Sequence, residues 1–370
     1  MEITGAVLEE IGRARPFAGS RPITVETIEL DAPGPGEVLV AIECAGLCHS
    51  DLSVVDGNRV RPVPMLLGHE AAGTVAELGP GVAGLSLGDR VVTTFLPRCG
   101  ACEACAGDGT RPCVPGSAAN GAGTLLSGAR RLHRAGGDVH HHLGVSAFAT
   151  HAVIDARSLV RVDQDVPPEV AAVMGCAVLT GGGAVVNVGR PVPGDTVVVV
   201  GLGGVGMAAV LTALAHEDVT VVAVDPVADK LRTALELGAH RALSADDAVA
   251  AGVKARVVVE AAGNVHALRT ALELTGPGGT TITVGLPSPD ARIELSPTAL
   301  VAEGRSLVGS YLGSAVPGRD IPRFVELWRA GRLPVERLVS SRLPLADINA
   351  GMDRLAEGTT LRQIITMSGV

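Results

Sequence analysis

The sequence predicts an α/β chain built around a doubly wound parallel sheet, and three observations predict it. A Val-rich run at 196–200 ends in Gly201-Leu202-Gly203-Gly204-Val205-Gly206 and gives way to a helix-forming stretch at 207–216. Further apolar strands at 219–224, 256–260 and 280–286 alternate with helical patterns at 230–237 and 266–274, the rhythm of a parallel sheet. The composition is that of a packed protein, 47% hydrophobic and 19% charged, and with aromatics at 2% its core must be aliphatic. A length of 370 residues suits two domains.

The glycine turn carries a physical reading. Gly201 allows the tight turn, Gly203 the close approach of a pyrophosphate, and Gly206 the packing of helix on strand. The next strand ends at Asp225, nineteen residues after Gly206, where a carboxylate would accept hydrogen bonds from adenosine ribose hydroxyls. It would repel a 2′-phosphate, and no Arg stands directly beside it, so the expected cofactor is NAD and not NADP.

Charge and hydropathy exclude other classes. A formal net charge of −9 argues against a nucleic-acid or anionic-membrane surface. Residues 196–215 are twenty without a charge, but the glycine turn inside them reads as strand, turn and helix. The other uncharged run, 171–189, contains Thr180-Gly181-Gly182-Gly183 and reads as a poor spanning helix. No basic segment followed by an apolar one opens the chain, so a soluble cytoplasmic protein is expected.

The seven cysteines are an odd count without a signal peptide, which disfavours a disulfide framework. Four of them, Cys99, Cys102, Cys105 and Cys113, lie on a loop broken by Gly100, Gly107, Gly109 and Pro112. Four thiolates able to converge on one tetrahedral centre point to structural zinc, closed to substrate; a redox Cys-x-x-Cys pair would leave two members unexplained. Cys48, within Cys48-His49-Ser50-Asp51, precedes His69, within Gly68-His69-Glu70, by twenty-one residues, and Cys176 lies far downstream. Two thiolates and an imidazole with an open fourth position would make a catalytic zinc site, with Asp51 and Glu70 placed to orient the ligands. By spacing alone the triad is weak: Cys176 by itself reads first as a small buried hydrophobe, and Cys44 is read only as one.

Along essentially its whole length the chain resembles the zinc-dependent medium-chain alcohol dehydrogenases in their longer, liver-type form. The resemblance is carried by Gly68-His69-Glu70, the four-cysteine loop, residues 120–124 through Leu143-Gly144, Gly175-Cys176, Gly201–Gly206 and the tail Leu361-Arg362-Gln363-Ile364-Ile365. It implies a GroES-like, mostly-β catalytic domain at 1–177 and 312–370 around a Rossmann coenzyme domain at 178–311. It implies NAD and two zinc ions per chain, one on Cys48, His69 and Cys176 and one on the four-cysteine loop. Zinc as Lewis acid would let an alcohol give up its proton near neutral pH before hydride transfer. Ser50 matches the hydroxyl that carries that proton off. His49, Thr180, Lys230, Val284, Gly285, Leu286 and Arg362 match cofactor contacts, beside Gly201 through Gly206 and Asp225. Phe95, Leu143, Leu286 and Tyr311 match pocket positions, and a homodimer is implied, with the strand around Val284 and residues 307–312 meeting a partner.

Two departures shape the expected activity. Ser53 stands where many liver-type members carry a histidine at the outer end of the proton relay, and a serine is no base near pH 7. Arg59 stands at a usually apolar pocket position, while Ala118 and His142 replace bulkier or more apolar groups. The expected substrates are medium-sized primary alcohols, aromatic ones included, and their aldehydes. The nearest rival is a thiol-adduct formaldehyde dehydrogenase, though Arg59, Arg61 and Ser117 do not match its glutathione-using members. A polyol dehydrogenase commonly carries Glu at the place of Cys176. A dead NAD-binding regulatory protein would be expected to lack zinc ligands, and all seven are here.

Overall fold

The computed structural model describes residues 1–367 and divides into two compact units, Met1–Cys176 with Val339 onward, and Ala177–Leu338. The first break falls beside the expected 177. The return to the first unit comes at Val339, not near 312. The reason is packing: the helix Pro317–Arg329 buries Ile321 and Phe324 inside the second unit, with the Phe324 ring seated over Gly182.

The first unit is mostly β. Its strands Glu2–Leu8, Ile23–Leu30, Leu132–Arg134, Gly137–His141 and Met65–Leu66 close into a small barrel. A seven-stranded sheet centres on Glu37–Leu47, which pairs with Glu70–Leu78, Arg362–Thr366 and His151–Asp155. That central strand has neighbours on both sides and on both faces, so Val38, Val40, Ile42, Ala45 and Leu47 all enter the core around Phe148 and Met352. The core is aliphatic as expected, with Phe17 and Phe148 as its aromatic members.

The second unit holds six parallel strands in the order Arg241–Leu243, Thr220–Val224, Thr196–Val200, Ala255–Glu260, Thr275–Thr283 and Ser306–Gly309. Numbered within the unit this is 3-2-1-4-5-6, the doubly wound order, whose switch point lies between Thr196–Val200 and Ala255–Glu260. Val197, Val198 and Val199 are 0% exposed, each contributing roughly 1.5–3 kcal/mol of burial. The last expected strand ends at Thr283 and not at 286, because residues 284–286 leave the sheet as a loop.

The run at 171–189 is helical despite its glycines. Residues Pro168–Gly189 are helical throughout, partly as widened π turns, and form a helix long and apolar enough to cross a membrane by length and composition. Its most apolar window is 89% buried, however, as a core helix would be. Gly181 and Gly183 do not break it; a Cβ there would lie 2.1 Å from the Val205 carbonyl oxygen and 2.6 Å from that of Gly313, so both serve close packing.

Candidate active site and metal centres

Sheet register brings Cys48 and His69 together. In the antiparallel pair Glu37–Leu47 and Glu70–Leu78, Gly46 stands opposite Glu70, so Cys48 just past one strand and His69 just before the other emerge at one end. On the other side Gln363 stands opposite Leu47, which delivers Arg362 to the same end. Cys176 follows the helix Pro168–Val173, and Gly175 lets it approach, since a Cβ there would sit 2.1 Å from the Thr93 carbonyl oxygen. The ligand atoms of Cys48, His69 and Cys176 lie within 4.8 Å of one another, all buried, with Cys176 Sγ 3.5 Å from His69 Nε2.

Asp51 organises this cluster. It sits in the first turn of the helix His49–Val55, which Cys48 caps in extended conformation. Its Oδ2 accepts the Cys48 N–H at 3.2 Å, while its Oδ1 accepts the Gly68 N–H at 3.2 Å and lies 3.0 Å from His69 Nδ1. A carboxylate on Nδ1 keeps the proton there and leaves the Nε2 lone pair facing the sulfurs. Burial opposes charge on Asp51, yet the His69 and His142 imidazoles outweigh it and hold the group at about 2. A hydrogen bond from Cys176, aided by the Arg362 guanidinium, holds the Cys48 thiol well below its usual range. The same partnership and burial push Cys176 up.

His142 is a second imidazole on Asp51. Its Nδ1 lies 3.2 Å from Asp51 Oδ1 without aligning for a hydrogen bond, and its ring meets that of His69 edge-on at 5.6 Å. Phe95 packs on His69 in the same manner at 5.4 Å. His142, expected as a pocket position, is buried, with its ring against that of His69. Its signal in the sequence is the run His140-His141-His142, which does not say which imidazole turns inward.

Glu70 and Arg362 form a buried pair. Arg362 Nε lies 3.4 Å from Glu70 Oε1, and its Nη1 donates to the Leu47 carbonyl at 3.1 Å. Burial pushes Glu70 up to about 7 against the pull of Arg362. Glu70 thus lies next to the cluster, facing Arg362, and Arg362, matched to a cofactor contact, is 3% exposed.

Cys99, Cys102, Cys105 and Cys113 form a second cluster, again within 4.8 Å. Backbone N–H groups of Ala101 and Cys102 point at Cys99 Sγ, and those of Cys99 and Gly116 at Cys113 Sγ. The Val114 N–H lowers Cys102 to about 6, while burial raises Cys113 to about 11. Four sulfurs supported by aimed donors, but unable to ionise together unaided, fit a tetrathiolate cation site. The three-donor cluster fits a catalytic zinc, with no fourth protein ligand among the described residues. Cys44 lies outside both clusters, and burial raises its thiol to about 12, as for an inert core residue.

In the second unit the glycine turn has the predicted form. Gly201 adopts φ +92°, a Cβ on Gly206 would collide with the Gly201 carbonyl oxygen at 1.8 Å, and a Cβ on Gly203 would stand in open space. The helix Gly204–Leu214 starts there without a side-chain cap, so its first N–H groups and positive dipole end suit a pyrophosphate. Asp225 Oδ2 accepts the Leu202 N–H at 2.7 Å and Oδ1 the Val227 N–H at 2.9 Å, which locks the acid to the turn. Turn, dipole and acid together fit a dinucleotide.

The remaining expected residues are scattered. Ser50 is half-buried and its hydroxyl has no partner among the described residues, whereas Ser53 donates to the His49 carbonyl at 2.7 Å. His49 and Ala118 are exposed, Arg59 and Lys230 half-buried, Leu143 and Thr180 buried. Val284, Gly285, Leu286 and Tyr311 belong to the second unit, Leu286 being 47% exposed. Sequence patterning does not single out Glu260, a buried acid closing an apolar strand.

Residues 34–164 match the family described as alcohol dehydrogenase GroES-like domain, and residues 204–329 the one described as zinc-binding dehydrogenase. An NDMA-dependent alcohol dehydrogenase of Amycolatopsis methanolica is 37% identical over 100% of both chains. Among solved structures, an alcohol dehydrogenase zinc-binding domain protein from Burkholderia ambifaria has a TM-score of 0.91 at 34% identity, covering 99% of each chain. A benzyl alcohol dehydrogenase from Acinetobacter calcoaceticus also reaches 0.91, at 29% identity and 100% coverage of both.

Proposed function

Because the chain belongs to the zinc-dependent medium-chain alcohol dehydrogenases, we propose that it oxidises medium-sized primary alcohols to aldehydes with NAD, and catalyses the reverse. The observation that carries this is the buried convergence of Cys48, His69 and Cys176, with Asp51 fixing His69 and the backbone of Cys48.

Cys48, His69 and Cys176 would hold a catalytic zinc, and Cys99, Cys102, Cys105 and Cys113 a structural one. When bound, the catalytic zinc supplies Lewis-acid polarisation of an alcohol oxygen, and NAD supplies the hydride acceptor. The chain's own residues do the rest. Asp51 keeps the Nδ1 proton on His69. The Ser50 hydroxyl, free of the local backbone, would relay the substrate proton, accepting it as its own hydroxyl proton passes on. Ser53, engaged with the His49 carbonyl, does not pass it on, so it leaves by water. Phe95, Leu143 and His142 keep water from the buried side.

The benzyl alcohol dehydrogenase neighbour supports an aromatic substrate. Arg59 would add a cationic edge for a polar or anionic tail, and Arg59→Ala should then cut the preference for carboxylated over neutral alcohols. The open edge strand Ser306–Gly309 supports a homodimer.

The test is NADH formation by purified protein over ethanol, hexanol, benzyl, cinnamyl and carboxylated alcohols, and formaldehyde with thiols. Turnover of the larger primary alcohols supports the proposal, and activity only with formaldehyde and a thiol overturns it. The NDMA-dependent relative favours one second reading, in which turnover requires NDMA and not added NAD. Parallel assays with each acceptor separate the two.

A further inference from the structure

Glu260 ends the strand Ala255–Glu260 at the switch point of the parallel sheet, beside the strand that leads into Gly201. Ligands of doubly wound sheets bind outside the carboxyl ends of the strands at this point. Its carboxylate is 1% exposed and accepts three hydrogen bonds. Oε1 takes the N–H groups of Ala262 at 2.9 Å and Gly263 at 2.6 Å, and Oε2 takes the Thr283 hydroxyl at 2.7 Å. Its main-chain carbonyl accepts the Val284 N–H at 2.9 Å. All three groups donating to the carboxylate, two backbone N–H groups and one hydroxyl, are neutral, and no ion pair joins it among the described residues, so its burial is costly.

What it holds is a spacer. A Cβ on Gly201 would lie 2.6 Å from the Ala262 nitrogen, and a Cβ on Gly285 would lie 2.2 Å from the Gly263 nitrogen. The 262–263 turn is therefore pressed backbone to backbone between the glycine turn and the 284–286 loop. In so tight a packing, a shift of the spacer moves both neighbours.

We propose that Glu260 is a positioning residue for the dinucleotide, holding the Ala262–Gly263 turn so that the Gly201 turn and the Val284–Leu286 loop keep the separation the cofactor needs. This rests on the reading of the chain as an NAD-binding enzyme. Glu260 acts through backbone groups and through Thr283. An amide at 260 can serve the same donors, because its oxygen accepts both N–H groups and the Thr283 hydroxyl can turn to accept.

The test uses the full-length, zinc-loaded protein with NADH fluorescence titration, steady-state kinetics and zinc content. Glu260→Ala should raise the NADH Kd and the KM for NAD together by about tenfold, with kcat within about threefold and zinc unchanged, because two backbone donors lose their acceptor. Glu260→Gln should bind NADH within about twofold of the parent. Should Glu260→Ala fail to fold, Thr283→Val carries the test, with an expected loss of about threefold. A folded Glu260→Ala that binds NADH as the parent does overturns the proposal. A Glu260→Gln as weak as Glu260→Ala overturns it too, since charge and not hydrogen bonding would then be the cause. A parent protein that binds no NADH at all instead overturns the cofactor reading beneath it.

Discussion

Asp51 Oδ1 lies 3.0 Å from His69 Nδ1, while the other oxygen of the same carboxylate holds the backbone N–H of Cys48. One buried side chain thereby orients two candidate ligands that are twenty-one residues apart. Both oxygens must accept, which only a carboxylate does fully.

Asp51→Asn should therefore leave the fold intact and weaken zinc. The amide offers one accepting oxygen, so either the Cys48 backbone or the Gly68–His69 side loses its partner. Competition with a chromophoric chelator should show zinc affinity lower by roughly 10–100-fold, with turnover falling alongside. Affinity equal to the parent's would show that Asp51 has no part in holding the metal.

The four-cysteine loop makes a separate prediction. Cys102→Ser should lower zinc content from about two ions per chain to about one, and lower Tm with the loss of the cross-link. Elemental analysis beside a thermal melt checks both. Unchanged zinc content would remove the loop from the metal inventory.

Asp225→Gly tests the nucleotide preference. It removes the acceptor of the Leu202 and Val227 N–H groups and the proposed acceptor of the ribose hydroxyls. Charge-assisted hydrogen bonds of this kind are each worth about 1.5–3 kcal/mol, so the KM for NAD should rise roughly 10–100-fold and discrimination against NADP should narrow. Rates with both nucleotides decide it, and an unmoved NAD/NADP ratio would place the ribose elsewhere.

His133 gives a pH signature at a residue outside the candidate site. Its ring bridges Asp31 and Asp138, at 2.9 Å each, and these partners raise its basicity, Asp31 foremost. A group whose folded pKa exceeds the unfolded one stabilises most below the unfolded value, near 6.5 for His, and loses that contribution as pH rises through the folded value. His133→Gln should therefore lower Tm at about pH 5.5 and leave it nearly unchanged at about pH 8.5. A Tm difference constant across pH would mean that packing, not charge, links the hairpin to Asp31.

Local spacing made much of this protein legible. The 201–206 turn, the acid at 225 and the loop of four cysteines each lie within a few dozen residues, where chain geometry alone limits what the groups can do. Longer reach left more to the tertiary structure. The helix across 181–183 was not evident because glycine weakens a helix unless another backbone presses on it, and those neighbours lie elsewhere in the chain. Likewise the return at Val339 follows from where Phe324 is buried, which no local pattern encodes.

By itself the sequence determined the parallel sheet with its nucleotide turn and the membership of the four-cysteine loop, while the Cys48, His69 and Cys176 set rested on the family resemblance. Only the tertiary structure decided that Cys176 meets His69 across 107 positions, that His142 settles on Asp51, that Arg362 pairs with Glu70, and that Glu260 accepts the Ala262 and Gly263 N–H groups. The physical reason is register. Gly46 opposite Glu70 and Gln363 opposite Leu47 bring distant residues to one strand end, and such pairings depend on the packed sheet and not on any one segment.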